Sequence, residues 1–259
     1  LLLSRILGRG AQLDPNEEVV TLLAKGTHRQ TLKATWDRAN QLAHALADVG
    51  VKEGDRVASF MWNNYRHLEL YQAVPSMGAV LHTLNIRLSP ADLEYIINHA
   101  ADKIIVADED LLPLLEPLLD KIPSVERIVV CRHGEGGETS FKETVDYETF
   151  IAGRPTQYAW PEIDENSPMG LCYTSGTTGK PKCIIHGQGG VLLKQLTEHL
   201  LHNDTKPGDR TFFFTTCGWM MWNWLITGLQ TGATVMLYDG SPFAPDALVL
   251  WRFAQEHGI

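Results

Sequence analysis

The chain reads Ser89-Pro90-Ala91-Asp92-Leu93-Glu94-Tyr95-Ile96-Ile97-Asn98-His99 and, shortly afterwards, Ile104-Ile105-Val106, which predicts a helix leading into a strand. Ser is a favoured helix N-cap, Pro suits the first helical position, and an acid in the first turn complements the helix dipole. The second segment is short and wholly apolar, as is typical of a strand buried on both faces. This unit indicates a chain of mixed helices and strands.

The same alternation extends in both directions from this unit. Towards the N-terminus, apolar residues recur on one face of residues 32–46, Gly50 ends that helix, and residues 56–61 form an apolar strand. Towards the C-terminus we expect strands near 128–130, 169–173, 211–215 and 233–238, and helices near 110–120, 190–202 and 246–257. The predicted fold class is therefore α/β, with alternating βαβ units and largely parallel sheets covered by helices.

Two polar stretches suggest where the chain divides. Residues 132–140 are rich in glycine, and residues 152–168 contain three prolines, so both are expected to form connections. We place a boundary in the second stretch. This gives an N-terminal α/β subdomain over residues 1–165 and a second, truncated α/β subdomain over residues 166–259.

The composition excludes several classes of protein. A hydrophobic content of 44% with 20% charged residues is typical of a globular protein, and a net charge of −9 argues against a nucleic-acid binder. The four cysteines have neither CxxC spacing nor the density of a disulfide framework, which favours free thiols and a cytoplasmic location. No transmembrane segment is predicted, because no apolar stretch reaches the length of a membrane span.

The segment with the clearest chemical meaning is Tyr173-Thr174-Ser175-Gly176-Thr177-Thr178-Gly179-Lys180-Pro181-Lys182. It contains four Ser or Thr hydroxyls, two glycines, two lysines and no acid. Glycines allow successive backbone N–H groups to converge on an anion, and hydroxyls and lysines add further donors. The segment therefore predicts a loop that binds phosphate.

Two other interpretations of this loop are weaker. A Walker A motif needs four residues between its glycines and Ser or Thr after the lysine, whereas here two residues intervene and Pro181 follows Lys180. A flexible Ser/Thr/Gly linker would be longer, less basic and not flanked by apolar segments. A P-loop kinase and a linker are both disfavoured.

The ten-residue loop resembles the signature loop of the adenylate-forming superfamily, which includes acyl-CoA synthetases, luciferases and nonribosomal peptide adenylation domains. The resemblance extends over nearly the whole chain. Residues 55–100, with Trp62-Asn63-Asn64, are similar to medium- and long-chain fatty acyl-CoA synthetases. Residues 185–242, with Thr216-Cys217-Gly218-Trp219, resemble acetoacetyl-CoA synthetases.

This resemblance implies that the chain is a fragment of the large N-terminal domain of an acyl-CoA synthetase. Such an enzyme activates a carboxylic acid with ATP, releases pyrophosphate and transfers the acyl group to CoA, with Mg²⁺ as a further cofactor. By resemblance, the residues expected at the phosphates are Thr174, Ser175, Gly176, Thr177, Thr178, Gly179 and Lys182, with Lys180 as an additional candidate. The main catalytic residues are expected beyond Ile259, and the ten histidines show no metal-binding spacing.

A cluster of tryptophans gives a second candidate site. If residues 219–230 are helical, Trp219 and Trp222 share a face, since they are three positions apart. In the family this segment borders the carboxylate substrate, so the two rings are candidate walls of a pocket for a short or medium acyl group. Packing between helix and sheet is the alternative, because Trp at helical spacing is also common in cores.

The rival function is a non-catalytic nucleotide- or acyl-binding module derived from the same family. It is kept because the chain stops at Gly258-Ile259, whereas complete members of the family are much longer. Alone, the fragment is expected to be inactive. A parallel sheet that is cut short exposes an unpaired edge, so self-association into an oligomer is also an expectation.

Overall fold

Two sheets organise the chain in the computed structural model, which describes residues 2, 4–133, 139–141, 143–174 and 179–259. The helices are Ser4–Leu13 (α1), Leu32–Asp48 (α2), Tyr65–Ser76 (α3), Pro90–Ala100 (α4), Leu112–Leu115 (α5), Tyr147–Ile151 (α6), Gln188–Thr197 (α7), Met220–Thr227 (α8) and Val249–His257 (α9). The strands are Glu18–Leu23 (β1), Gly26–Thr31 (β2), Arg56–Phe60 (β3), Val80–Thr83 (β4), Ile104–Asp108 (β5), Arg127–Cys131 (β6), Thr144–Asp146 (β7), Pro168–Thr174 (β8), Lys182–Gly187 (β9), Arg210–Thr211 (β10) and Thr234–Tyr238 (β11).

The larger sheet has seven strands in the order β7-β6-β5-β3-β4-β8-β9. All neighbours are parallel except β8 and β9, which pair antiparallel. The smaller sheet has the order β10-β11-β1-β2, and only its β1–β2 pair is antiparallel. These largely parallel sheets confirm the predicted α/β fold class.

Both faces of the larger sheet are buried at its central strands β3, β4 and β5, which are mostly apolar, whereas the edge strand β9 is partly exposed. On β3 and β5, Val57 and Val106 point into one core, whereas Ala58 and Ile105 point into the other. The first core contains α2 and α3, and the second contains α4 and the segment from Leu111 to Ile122. Helices therefore cover the sheet on both sides, as a parallel sheet requires.

The structure confirms one of the local predictions and changes two others. Helix α4 begins as predicted, with the Ser89 hydroxyl accepting the N–H of Asp92 at 3.2 Å. The predicted helix near 110–120 is instead split into α5 and two 3-10 turns, since Pro113 and Pro117 cannot donate the helical hydrogen bonds. The predicted strand near 211–215 contributes only its first residue, as part of β10, to the sheet.

Both sheets take strands from both sides of residue 165. Strands β8 and β9 extend the sheet that begins with β3, while β1 and β2 pair with the late strand β11. The division into subdomains 1–165 and 166–259 remains a prediction. Within the described ranges, no helix is both long and apolar enough to cross a membrane.

A buried ion pair fixes the helices on one face of the larger sheet. The Glu69 carboxylate of α3 is fully buried and accepts hydrogen bonds from Arg38 Nε at 2.6 Å, Gln30 Nε2 at 2.9 Å and Tyr147 Oη at 2.7 Å. Arg38 also donates to both oxygens of Glu148, at 2.8 and 3.1 Å. Burial alone would lower the pKa of Arg38, but the two carboxylates outweigh it, and the pKa is raised.

A second polar cluster lies where the two sheets meet. Asp108 ends β5, and Asp239 directly follows β11. Asp108 accepts hydrogen bonds from the backbone N–H of Trp62 at 2.7 Å and from Asn64 Nδ2 at 3.2 Å, and His133 Nε2 lies 3.3 Å away. Burial and the neighbouring Asp108 charge raise the pKa of Asp239 to about 7, against the opposing effect of His133.

We predict that Arg38→Met lowers the free energy of unfolding by about 3 kcal/mol or more, because it leaves the buried Glu69 carboxylate without its cation. Lys33→Met is the matched control, since it removes an exposed cation, paired with Asp37, from the same helix. Its cost should stay below about 1 kcal/mol. Urea unfolding of both variants measures the difference, and equal costs would contradict the role given to Arg38.

We also predict a pH dependence from Asp239. In the unfolded chain an aspartate ionises near pH 4, whereas in the folded protein this one holds its proton to about pH 7. Its contribution to stability is therefore lost as pH rises from about 4 to 7. Asp239→Asn removes this loss, so the stability of the variant relative to the parent should increase over that range. A difference that stays constant in urea unfolding at pH 5 and 8 would refute this assignment.

Candidate functional site

The predicted phosphate-binding loop joins two antiparallel strands. Thr174, the last residue of β8, lies opposite Lys182, the first residue of β9, and Tyr173 lies opposite Cys183. The strands fix the distance between the two ends of the loop, and Gly179, Lys180 and Lys182 are exposed. The cationic residue Lys182 thus lies beside Thr174, whose side chain carries a hydroxyl. Ser175, Gly176, Thr177 and Thr178 lie outside the described residues.

The loop starts at the carboxyl edge of the parallel strands. Strand β8 runs parallel to β4, with Leu81 opposite Gly170 and His82 opposite Leu171. In parallel α/β sheets, ligands bind in the crevice at this edge, where the strands give way to loops. Thr174 therefore lies on the same edge as Asn85, which follows β4, and Asp108, which ends β5.

The residues before the loop are held by buried polar groups. The Tyr173 ring is 5% exposed, and a 2.7 Å hydrogen bond joins its hydroxyl to His99 Nδ1. On β4, the His82 ring lies 4.9 Å from the Tyr173 ring and its Nδ1 is 2.7 Å from the buried Asp102 carboxylate. Burial raises the pKa of Tyr173, so its hydroxyl stays protonated at neutral pH.

The segment before α8 crosses the same edge of the sheet and is held there by Asn63. The Asn63 amide donates to the carbonyl of Thr215 and accepts from the Cys217 thiol at 2.7 Å. At Gly218 a Cβ would come within 2.9 Å of the backbone N and Cα of Asn85, which ordinary packing does not allow. Glycine is required here because the two backbones touch.

The structure separates the two tryptophans that the sequence placed on one helical face. Trp222 lies in α8 and is fully buried, with its ring stacked on His67 at 5.0 Å. Trp219 is instead the N-cap residue of α8, has extended backbone angles and is 52% exposed. The two rings thus meet different surroundings, and a pocket wall built from either one remains a prediction.

His67 is a fully buried, neutral partner of Trp222. Its Nε2 lies 2.9 Å from the Ser59 hydroxyl, and burial lowers the pKa of its ring to about 3, so it is neutral at physiological pH. The Trp222 Nε1 and His67 Nδ1 atoms are buried and have no hydrogen-bond partner among the described residues. A neutral imidazole can pack against an indole ring without the cost of burying a charge.

The described residues do not form a cation site. In the ranges given above, no group of three or more His, Cys, Asp or Glu side chains is placed to hold a metal ion. Asp108 and Asp239, at the ends of β5 and β11, are engaged in the cluster between the sheets. None of the residues in those ranges is therefore assigned to Mg²⁺.

The arrangement suits the binding of an anion more than proton transfer. Thr174 supplies a hydroxyl, and Lys182 and Lys180 supply cations. Sequence reasoning missed the residues behind the loop, namely Asn63, His82, Tyr95, His99 and Asp102. Only Tyr95 and His99 carried a signal, because side chains four positions apart share a helix face.

Comparisons with known proteins show the family of this chain. The model of the AMP-binding enzyme family matches residues 8–259. Acetoacetyl-CoA synthetase of Gallus gallus is 32% identical over 94% of this chain and 40% of its own length. The medium-chain-fatty-acid–CoA ligase of Ectopseudomonas oleovorans is 36% identical over 76% of this chain and 36% of its own length.

The fold is also similar to that of a solved acetoacetyl-CoA synthetase. Acetoacetyl-CoA synthetase from Streptomyces lividans superposes with a TM-score of 0.89 and 28% identity, covering 100% of this chain and 41% of that protein. The chain thus spans about 40% of the length of these relatives. Both kinds of enzyme that the sequence resembles are found among them, which confirms the resemblance. The chain belongs to the family of AMP-binding enzymes.

Proposed function

We propose that this chain forms the phosphate- and acyl-binding part of an acyl-CoA synthetase. The observation that carries the proposal is the loop between β8 and β9, whose ends pair Thr174 with Lys182 at the carboxyl edge of a parallel sheet. Its relatives are named as synthetases or ligases that join an acid to coenzyme A. These names favour an enzyme over the non-catalytic module.

In the proposed reaction, a carboxylate oxygen of the acid attacks the α-phosphorus of ATP. The bond between the α-phosphorus and the bridging oxygen breaks, and pyrophosphate leaves with the negative charge that develops on it. The CoA thiolate then attacks the carbonyl of the acyl-adenylate, and AMP leaves. Chemistry of this type depends mainly on positioning and on electrostatic stabilisation of phosphate oxygens.

The loop would supply that stabilisation. We assign the triphosphate to Thr174, Ser175, Gly176, Thr177, Thr178, Gly179 and Lys182. Lys182 begins a paired strand, so its backbone is fixed while its ammonium remains exposed to a ligand. Mg²⁺ and CoA belong to the proposed reaction, but no described residue is assigned to either.

The acid is proposed to be short or medium in length. Trp219 is the better candidate for a pocket wall, because about half of its surface is exposed at the carboxyl edge beside Gly218. Trp222 could limit a pocket only from within the core, where it stacks on His67.

A cytoplasmic location is proposed because all four cysteines are free thiols. Self-association is proposed because Ile184 and Ile185 on the edge strand β9 are apolar and exposed.

We predict that Lys182→Ala weakens ATP binding roughly tenfold to a hundredfold, since a charge-assisted hydrogen bond contributes about 1.5–3 kcal/mol. Pyrophosphate exchange should fall with it. Lys194→Ala is the matched control, because Lys194 is an exposed lysine of α7 that pairs with Glu198. Isothermal titration calorimetry with ATP tests both variants, and an unchanged affinity in Lys182→Ala would rule out the assignment.

We predict different effects for the replacement of each tryptophan by alanine. Trp222→Ala should lower the free energy of unfolding by about 3–5 kcal/mol, because it opens a cavity in the core. Trp219→Ala should cost much less stability, and it should shift the preferred acid towards longer chains if the ring walls the pocket. Thermal unfolding and a panel of straight-chain acids measure the two effects. An unchanged acid preference in Trp219→Ala would remove it from the pocket.

A further inference from the structure

Helix α4 carries two rings that contact residues on both sides of the phosphate-binding loop. Tyr95 and His99 are four positions apart, their ring centroids are separated by 5.4 Å, and they lie on one face of the helix. His99 is bound to Tyr173, just before the loop, and Tyr95 contacts Lys180, just after its second glycine. One turn of helix therefore reaches both ends of the same loop.

The contact before the loop is a hydrogen bond to a buried tyrosine. Tyr173 is almost fully buried, its hydroxyl is joined to His99 Nδ1 at 2.7 Å, and its ring also meets His82. His82 is in turn bound to the buried Asp102, which precedes β5. Because Tyr173 directly precedes Thr174, these contacts fix the direction in which the chain enters the loop.

The contact at the other end of the loop is a cation–π contact, which is weaker than a buried hydrogen bond. The Lys180 ammonium lies 4.9 Å above the Tyr95 ring, and no described carboxylate forms an ion pair with it. An aromatic face attracts a cation through its quadrupole but carries no net charge. The ring can therefore hold the ammonium in place without neutralising it, whereas a carboxylate would compete with a phosphate for the same cation.

We propose that Tyr95 and His99 are positioning residues that hold Tyr173, Thr174 and Lys180, at the two ends of the loop, where they meet the nucleotide's phosphates. Tyr95 keeps Lys180 close to the loop, so that less side-chain freedom is lost when the anion binds. His99 holds Tyr173 and, through it, Thr174. This inference rests on the proposed function, since it presupposes that the loop binds phosphate.

The test of Tyr95 is a double-mutant cycle with Lys180. ATP and pyrophosphate binding are measured by calorimetry for the parent protein, Tyr95→Leu, Lys180→Met and the double variant. Tyr95→Leu should weaken binding about two- to fivefold, the range expected of an exposed cation–π contact. In the Lys180→Met background the same change should have no further effect, because the cycle isolates the pairwise contribution.

Tyr95→Phe is the conservative control, because it keeps the ring face and removes only the hydroxyl. It should bind ATP as the parent does, which a general loss of packing at position 95 would not produce. The melting temperature of each variant shows that it is folded. If Tyr95→Leu weakens binding equally with and without Lys180, or if Tyr95→Phe is as weak as Tyr95→Leu, the role of Tyr95 is wrong.

The His99 contact has its own test. His99→Leu and Tyr173→Phe each remove the same hydrogen bond, so both should weaken ATP binding, and the double variant should be no weaker than the weaker single one. Additive losses, or ATP affinity equal to that of the parent, would overturn the role of His99. Failure of the parent protein to bind ATP and pyrophosphate would instead overturn the proposed function, and this inference with it.

Discussion

The buried carboxylate of Glu69 constrains much of this fold. A carboxylate in a protein interior is tolerated only when donors and a cation surround it, because the cost of removing its water is large. Here those partners come from three elements, namely Gln30 of β2, Arg38 of α2 and Tyr147 of α6, and they surround a carboxylate carried by α3. Satisfying one charge therefore requires these elements to meet in one arrangement.

This arrangement connects the two sheets. Strand β2 belongs to the smaller sheet, whereas α3 leads into β4 of the larger one. At the other end of α3, Asn64 caps the helix by accepting the N–H of His67, and it also donates to Asp108 of β5. Helix α3 is thus held by polar contacts near both sheets, and the carboxyl edge that bears the loop is held in place with it.

The candidate site is assembled from segments that are far apart in the sequence. Asn63 holds Thr215 and Cys217, and the backbone of Asn85 touches Gly218. The loop after β8 begins at the same edge, and Tyr95 and His99 of α4 contact its two ends. The parallel sheet makes this possible, because the carboxyl ends of its central strands all open on one side.

The sequence alone determined the class of fold and gave the prediction for the loop. Apolar runs bounded by capping residues indicate buried strands and helices, as Ser89, Pro90 and Ile104–Asp108 show, and Gly, Thr and Lys in residues 173–182 predict an anion site by their chemistry. The tertiary structure decided which strands pair across residue 165, that Trp222 is core while Trp219 is exposed, and that Tyr95 and His99 lie behind the loop. Periodicity records only the neighbours within one element, whereas these contacts join distant residues, as the pairing of Val19 of β1 with Val235 of β11 shows. Which distant segments meet depends on packing the whole chain around its sheets.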